Sequence, residues 1–429
     1  MAKLLIIADD FTGALDTGIQ FAQNLVSTRV FIWAEPNRLC FNSDSDVLVI
    51  DSETRHLLPE EAYKIIYKIV REAAISGIKH IYKKTDSCLR GRIGSELQAT
   101  LDAFKGVNEE EQSELFFIPA FPKAGRTTLN GIQYVNGVPV SESVFGSDPF
   151  DPVINSYIPD IIAEQTPIEV VTVPIGADLP KASNLIEPRI ILFDACTDND
   201  LHVIAKKLNG KVKLTAGCAG FASHLREMIE FPKTETSQFC LTKGIFVLNG
   251  SLNPVSNAQV RYAEEIGFNR YCLTANQKVM PDYLATKEGL TFINEIYNSC
   301  ISGIPTIIDA SLTVEENNID KKNNCNIDKS KIREGIALRL GEFAKEWVSF
   351  GLDHTLVMIG GDTLAGFMKQ IGCNELTPIH EFFDGVVCSI LHYKGRKIQV
   401  VSKAGGFGEK SVLIDIANKV LLNKLNYKG

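Results

Sequence analysis

Apolar residues fall into short, strand-sized runs rich in β-branched side chains, at 4–8, 47–51, 115–120, 170–173, 190–194, 245–249, 305–310, 355–359 and 398–401. Between several of them the period changes to that of a helix. Ala62, Ile65, Ile66, Ile69, Val70 and Ala73 share one helical face, as do Ile332, Ile336, Leu340, Phe343 and Ala344. Alternation of strand and helix predicts an α/β protein with largely parallel sheets flanked by helices. The polar, Pro-containing stretch 231–244 reads as a linker, which predicts two domains, 1–235 and 240–429. A second polar stretch, 313–330, has little to bury and reads as an exposed loop insertion.

Composition narrows the partners. The 429 residues are 45% hydrophobic and 22% charged, with 44 Lys plus Arg against 52 Asp plus Glu, a net charge of -8. That balance argues against nucleic-acid and anionic-membrane partners, while leaving room for a local basic pocket that takes a small anion. The ten cysteines are far apart, with no CxxC and no zinc spacing, and read as reduced core thiols. The first ten residues, MAKLLIIADD, are too briefly apolar for a signal peptide or membrane span, so a cytoplasmic location is expected.

Chemistry is expected where strands run into polar residues. Ile7-Ala8-Asp9-Asp10-Phe11-Thr12-Gly13 places two carboxylates at a strand tip, able to bind a polyol or to cap a helix. In Lys84-Thr85-Asp86-Ser87-Cys88-Leu89-Arg90-Gly91, Lys84 and Arg90 can neutralise a carboxylate, while Asp86 and Ser87 can meet hydroxyls. Pro119-Ala120-Phe121-Pro122 with Gly125-Arg126 can hold a guanidinium at a cleft; Arg55 and Asp148-Pro149 are weaker candidates on the same logic.

The second half is richer in glycine at strand ends: Asn249-Gly250-Ser251-Leu252-Asn253-Pro254-Val255-Ser256, Gly360-Gly361-Asp362-Thr363 and Lys403-Ala404-Gly405-Gly406-Phe407-Gly408. Such turns uncover backbone N–H groups that can cradle phosphates, and three of them point to a nucleotide site. The chain has no Walker A loop, GxGxxG fingerprint, GxSxG elbow, HExxH or kinase HRD and DFG set. Its seven histidines stand alone in the sequence.

These motifs, in this order and across nearly the whole chain, resemble the four-carbon acid sugar kinases, with Val135-Asn136-Gly137-Val138-Pro139 and Asp148-Pro149 as further matches. The resemblance implies an N-terminal sugar-acid domain, a C-terminal ATP domain and an active site in the cleft between them. It implies acid contacts from Asp10, Arg55, Lys84, Thr85, Asp86 and Ser87, with Arg126 as an addition. It implies ATP contacts from Ser251, Gly360, Gly361, Asp362, Thr363, Gly405 and Gly406. One segment departs from the family's Gly-Ser-Cys-Ser-Pro-x-Thr pattern, since Asn253 and Ser256 stand for its second Ser and its Thr.

The resemblance further implies γ-phosphoryl transfer from ATP to the C4 hydroxyl of a four-carbon acid. Asp16-Thr17-Gly18-Ile19-Gln20-Phe21-Ala22 resembles the threonate type more than the 3-oxo-tetronate type, so D-threonate is the expected acid, with D-erythronate or a 3-oxo-tetronate as alternatives. Asp86 and Asp10 are the candidate catalytic bases, and Mg2+ is expected to come with the nucleotide rather than on a protein-held site. A homodimer is implied by analogy alone. The competing readings are an NAD-dependent oxidoreductase of sugar acids, disfavoured by the missing fingerprint, and a non-catalytic sensor of sugar acid and nucleotide.

Overall fold

A computed structural model describes residues 2–33, 41, 44–107, 114–148, 151–180, 187–210, 213–235, 238–280, 282–311 and 329–422. Residues 313–328 of the expected loop, Pro149, Cys40 and Cys325 lie outside the described residues. The chain divides into two compact units, Met1–Thr236 and Ser237–Gly429.

The first unit contains β1 (Leu4–Ala8), β2 (Thr28–Ile32), β3 (Val47–Asp51), β4 (His80–Lys84), β5 (Glu114–Ile118), β6 (Arg126–Leu129), β7 (Ile132–Val135), β8 (Val138–Pro139), β9 (Glu169–Val173), β10 (Arg189–Phe193) and β11 (Leu214–Gly217). Eight of these form an all-parallel sheet in the order β2-β3-β1-β4-β11-β5-β10-β9; β6, β7 and β8 form a small antiparallel sheet. Helices Phe11–Ala22, Pro59–Ile75 and Ile93–Lys105 connect successive parallel strands, as such crossovers require. In Pro59–Ile75 the predicted face is the packed one: Ala62, Ile66, Ile69, Val70 and Ala73 are buried, and Ile65 packs against the same core.

The second unit contains β12 (Gly244–Asn249), β13 (Asn269–Cys272), β14 (Thr306–Asp309), β15 (His354–Ile359), β16 (Glu375–Phe383), β17 (Val386–Tyr393) and β18 (Arg396–Lys403). The order β13-β14-β12-β15-β18 is parallel, and β17 and β16 continue it antiparallel. In helix Lys329–Ser349, Ile336, Leu340, Phe343 and Ala344 are buried, as their spacing predicts.

In each unit two neighbouring strands send their connections in opposite directions. β1 leads to β2 at one edge while its neighbour β4 leads to β5 on the other side; β12 leads to β13 while its neighbour β15 leads away to β16. Loops diverge above such a reversal and leave a crevice at the carboxyl ends of the strands.

The thiols depart from expectation. All eight described cysteines are free, but only Cys88, Cys218, Cys300 and Cys388 are buried. Cys240 and Cys272 are exposed, because the former lies on the irregular approach to β12 and the latter at the end of β13, the outermost parallel strand.

Candidate active site

Three neighbouring strand tips of the first unit deliver its charges side by side. Ala8 at the end of β1 is in register with Asp51 of β3 and Lys84 of β4, so the segments that follow leave the sheet at one level. Asp10 caps helix Phe11–Ala22, its Oδ1 accepting from Gly13 N at 3.0 Å. The helix-cap reading and the site reading of this residue therefore both hold. Gly13 permits the close approach of Lys84, whose Nζ would lie 2.0 Å from a Cβ there.

Arg55 is the hub. Its Nε donates to Asp9 Oδ2 at 2.7 Å, its Nη1 to Asp10 Oδ2 at 2.9 Å, and its Nη2 lies 2.8 Å from Asp10 Oδ1 and 3.6 Å from Asp86 Oδ1. Lys84 Nζ sits 3.7 Å from both Asp9 and Asp10. Burial pushes the Asp9 carboxyl up, but Arg55, Lys84 and Lys83 outweigh it and hold the group below the usual carboxylate range. Asp86 is a similar case: burial raises it, and Arg90 and Arg55 prevail and keep it ionised. Burial opposes the charge on Lys84 too, and Asp9 and Asp10 more than restore it.

Asp86 is saturated. It receives both Nε and Nη2 of Arg90 at 3.0 Å, and the backbone N–H groups of Cys88 and Arg90 at 3.2 and 3.3 Å. Arg90 Nη1 also reaches Asp148 at 3.3 Å. The guanidiniums of Arg90 and Arg126 lie 5.1 and 5.9 Å from the Phe145 ring, which brings the two arginines together. Arg126 differs from its neighbours: it has no carboxylate partner among the described residues, its Nη1 donates to Ala124 O, and its buried Nε has no hydrogen bond.

The remaining expected acid contacts are less open. Thr85 is fully buried, with its N–H donated to Gly217 O at 2.7 Å and its hydroxyl unpartnered. Ser87 is half-buried, and its carbonyl accepts from Gln133 Nε2 at 2.8 Å. Asp9 belongs to the strand-tip doublet with Asp10 but not to the expected acid contacts, while Phe145 and the Lys83–Glu96 pair carried no sequence signal beyond the charge at Lys83. Arg90 is offered by its motif but is likewise outside those contacts.

The second unit brings its three glycine turns together. They follow β12, β15 and β18, which are neighbours in the sheet. A Cβ on Gly405 would stand 2.6 Å from Ser251 Oγ, and one on Gly250 would stand 2.3 Å from Thr363 Oγ1. Gly360 has φ of +102°, a conformation that favours glycine, and opens helix Gly361–Ile371 with Asp362 in its first turn. The departures from the family pattern have local duties. Asn253 caps helix Pro254–Ile266 by accepting from Val255 N at 2.9 Å, and Ser256 Oγ donates to Gly405 O at 2.6 Å. Gln259 Nε2 ties down the carbonyls of Phe407, Gly408 and Glu409 at 2.7 to 3.0 Å. Below them, Arg270 grips the buried Asp309, which accepts from Asn249, whose Oδ1 in turn accepts from Ser251 N. Uncovered glycine amides at two helix starts are donors suited to a polyphosphate.

A sugar-binding N-terminal domain model matches residues 4–225, and a nucleotide-binding C-terminal domain model matches residues 246–413. The chain belongs to the four-carbon acid sugar kinase family. Among this kinase family's curated relatives, a D-threonate kinase of Salmonella typhimurium is 29% identical, with 96% of this chain and 97% of that one covered. A D-erythronate kinase of Heliobacterium modesticaldum is 28% identical over 62% of this chain and 61% of its own. A crystal structure of a Haemophilus influenzae protein has the same fold, at TM-score 0.69 and 22% identity, covering 97% of this chain and 100% of that one.

One further arrangement was invisible in the sequence. His202 and His224 meet at Glu227, at 2.5 and 2.7 Å, so these histidines do not stand alone in the fold.

Proposed function

We propose that this member of the four-carbon acid sugar kinase family transfers the γ-phosphoryl group of ATP to the C4 hydroxyl of D-threonate, giving 4-phospho-D-threonate and ADP. The observation that carries the acid site is the meeting of Asp9, Asp10, Arg55, Lys84, Asp86 and Arg90 above the reversal of the first sheet. The D-threonate kinase relative, matched over nearly its full length, supports the choice of acid.

We infer the following roles. Arg55 is committed to Asp9 and Asp10, so it fixes those carboxylates rather than serving as the main acid receptor. Arg126, lacking a carboxylate of its own, receives that of the substrate, with Lys84 adding charge. Arg55 and Gly13 hold Asp10 as Arg90 holds Asp86, but Asp10 has 27% of its side chain exposed against 10% for Asp86, so Asp10 is the carboxylate that orients the C4 hydroxyl and accepts its proton. The C4 oxygen forms a bond to the γ-phosphorus, the bond from that phosphorus to the bridging oxygen breaks, and ADP leaves with the electron pair. The turns containing Ser251, Gly360 to Thr363, Gly405 and Gly406 hold the phosphates. Mg2+ arriving with the nucleotide supplies charge neutralisation of the phosphates. With ATP as co-substrate the reaction belongs in the cytoplasm; among the described residues no helix is long and apolar enough to cross a membrane.

The test is incubation with Mg-ATP and a panel of D- and L-threonate, D- and L-erythronate and 3-oxo-tetronates, following ADP release and the mass of the acid. ADP with a phosphorylated D-threonate is the expected result. Phosphorylation of another acid alone reassigns the substrate, and acid binding without turnover leaves a sensor.

A further inference from the structure

Two lysines near strand ends have their side chains sealed from solvent, Lys83 next to last on β4 and Lys403 last on β18. Both donate to the carbonyl of the next residue, Lys83 to Lys84 O at 2.8 Å and Lys403 to Ala404 O at 2.9 Å. The resemblance stops there. Lys83 has a carboxylate partner, Glu96, at 2.9 Å. Among the described residues Lys403 has instead a second carbonyl, Gly405 O, at 3.5 Å.

The segments joined to the end of β18 carry Asp362 at the head of the helix after β15, Asp384 on the turn between β16 and β17, and Glu409 and Lys410 beyond the glycine turn. None of them pairs with it among the described residues. An ammonium carries three N–H donors, and the third has no partner among the described residues. A buried cation without a counter-charge is costly, and burial alone pushes the Lys403 amine down to about 7. Its two carbonyl contacts belong to the turn that closes on Ser251, where the uncovered amides collect.

We propose that the missing counter-charge is a phosphate group of the nucleotide, so that Lys403 is a phosphate-neutralising residue and nucleotide binding takes up a proton there. This rests on the nucleotide reading of the second unit. Lys403 lies beneath the glycine turn, and its charge is fixed only when an anion settles on the amides above. The sign follows: the bound nucleotide favours the ammonium, so protons are taken up on binding, and affinity falls as pH rises through the free amine's value.

Calorimetric titration of the full chain with ATP, in buffers of different ionisation enthalpy near neutral pH, reads the proton count and affinity together. Wild type is expected to take up a fraction of a proton beyond the nucleotide's own titration. Lys403→Met is expected to lose that uptake and bind at least ~10-fold more weakly. Lys403→Arg, whose charge is permanent, is expected to bind without proton uptake. Wild-type binding with no extra uptake overturns the proposal even if neither variant folds, and so does Lys403→Met binding within about twofold of wild type, well inside the effect expected of a lost charge contact. If wild type binds no nucleotide at all, the nucleotide reading itself has failed and the proposal goes with it.

Discussion

Lys83 and Glu96 form an ion pair from which solvent is wholly excluded, with Nζ 2.9 Å from Oε2. Lys83 also holds the carbonyls of Ile7 and Lys84, and Glu96 accepts from Thr54, so the pair fastens together the tips of β1 and β4 and the segment that leads to Arg55. Removing one partner leaves the other charge buried and unpaired. Glu96→Leu is expected to destabilise the first unit by about 3–5 kcal/mol, and adding Lys83→Met to recover most of that loss. Denaturant unfolding of the single and double variants checks this; a double variant as unstable as the single one would refute the shared role.

Asp10 and Asp86 are expected to separate kinetically. Asp10→Asn lowers kcat by about 10²–10⁴-fold with little change in acid affinity, as loss of a base does. Asp86→Asn frees Arg90 and is expected to act chiefly through KM. Steady-state kinetics on both variants, with thermal melts to confirm folding, decides the assignment, and the reverse pattern exchanges the two roles.

Arg126 is expected to govern acid binding. Arg126→Met should raise KM for the acid by ~10-fold or more while leaving KM for ATP unchanged, because a charge-assisted hydrogen bond to the substrate carboxylate is lost. Equal rises in both KM values would contradict a role confined to the acid.

Acid should weaken the first unit in a specific way. Asp9 and Asp86 are held below their ordinary values, so their contribution is fully present above about pH 4, the ordinary Asp value, and is lost as pH falls through the depressed folded values. At neutral pH, Asp86→Asn is expected to cost about 2–4 kcal/mol relative to wild type. The gap between the two proteins should narrow as the pH is lowered below about 4. Urea unfolding at a series of pH values measures it; a gap that stays constant would show that Asp86 contributes through packing instead.

Much of this protein was legible in its sequence, because hydrophobic period and strand-end chemistry are local properties. The runs at 4–8 and 47–51 coincide with β1 and β3, and the three glycine turns occupy the strand ends where their sequence placed them. Strands β2, β4, β6, β7, β8, β11, β13, β16 and β17 lie outside the strand-sized runs. β11 is only four residues, Leu214–Gly217, while β16 and β17 mix polar and apolar positions in an antiparallel pair whose register only the partner strand sets.

What the sequence determined by itself was the class of fold, the place of the motifs and the residue types offered to a sugar acid and a nucleotide. Tertiary structure decided which charges are spent on one another. Arg55 and Asp86 looked free and are saturated, Arg126 looked marginal and has no carboxylate partner among the described residues, and of Lys83 and Lys403 only the former has a counter-charge there. Ion pairing depends on distances of a few ångströms between segments far apart in the chain, and those distances exist only once the sheet has set its strand order.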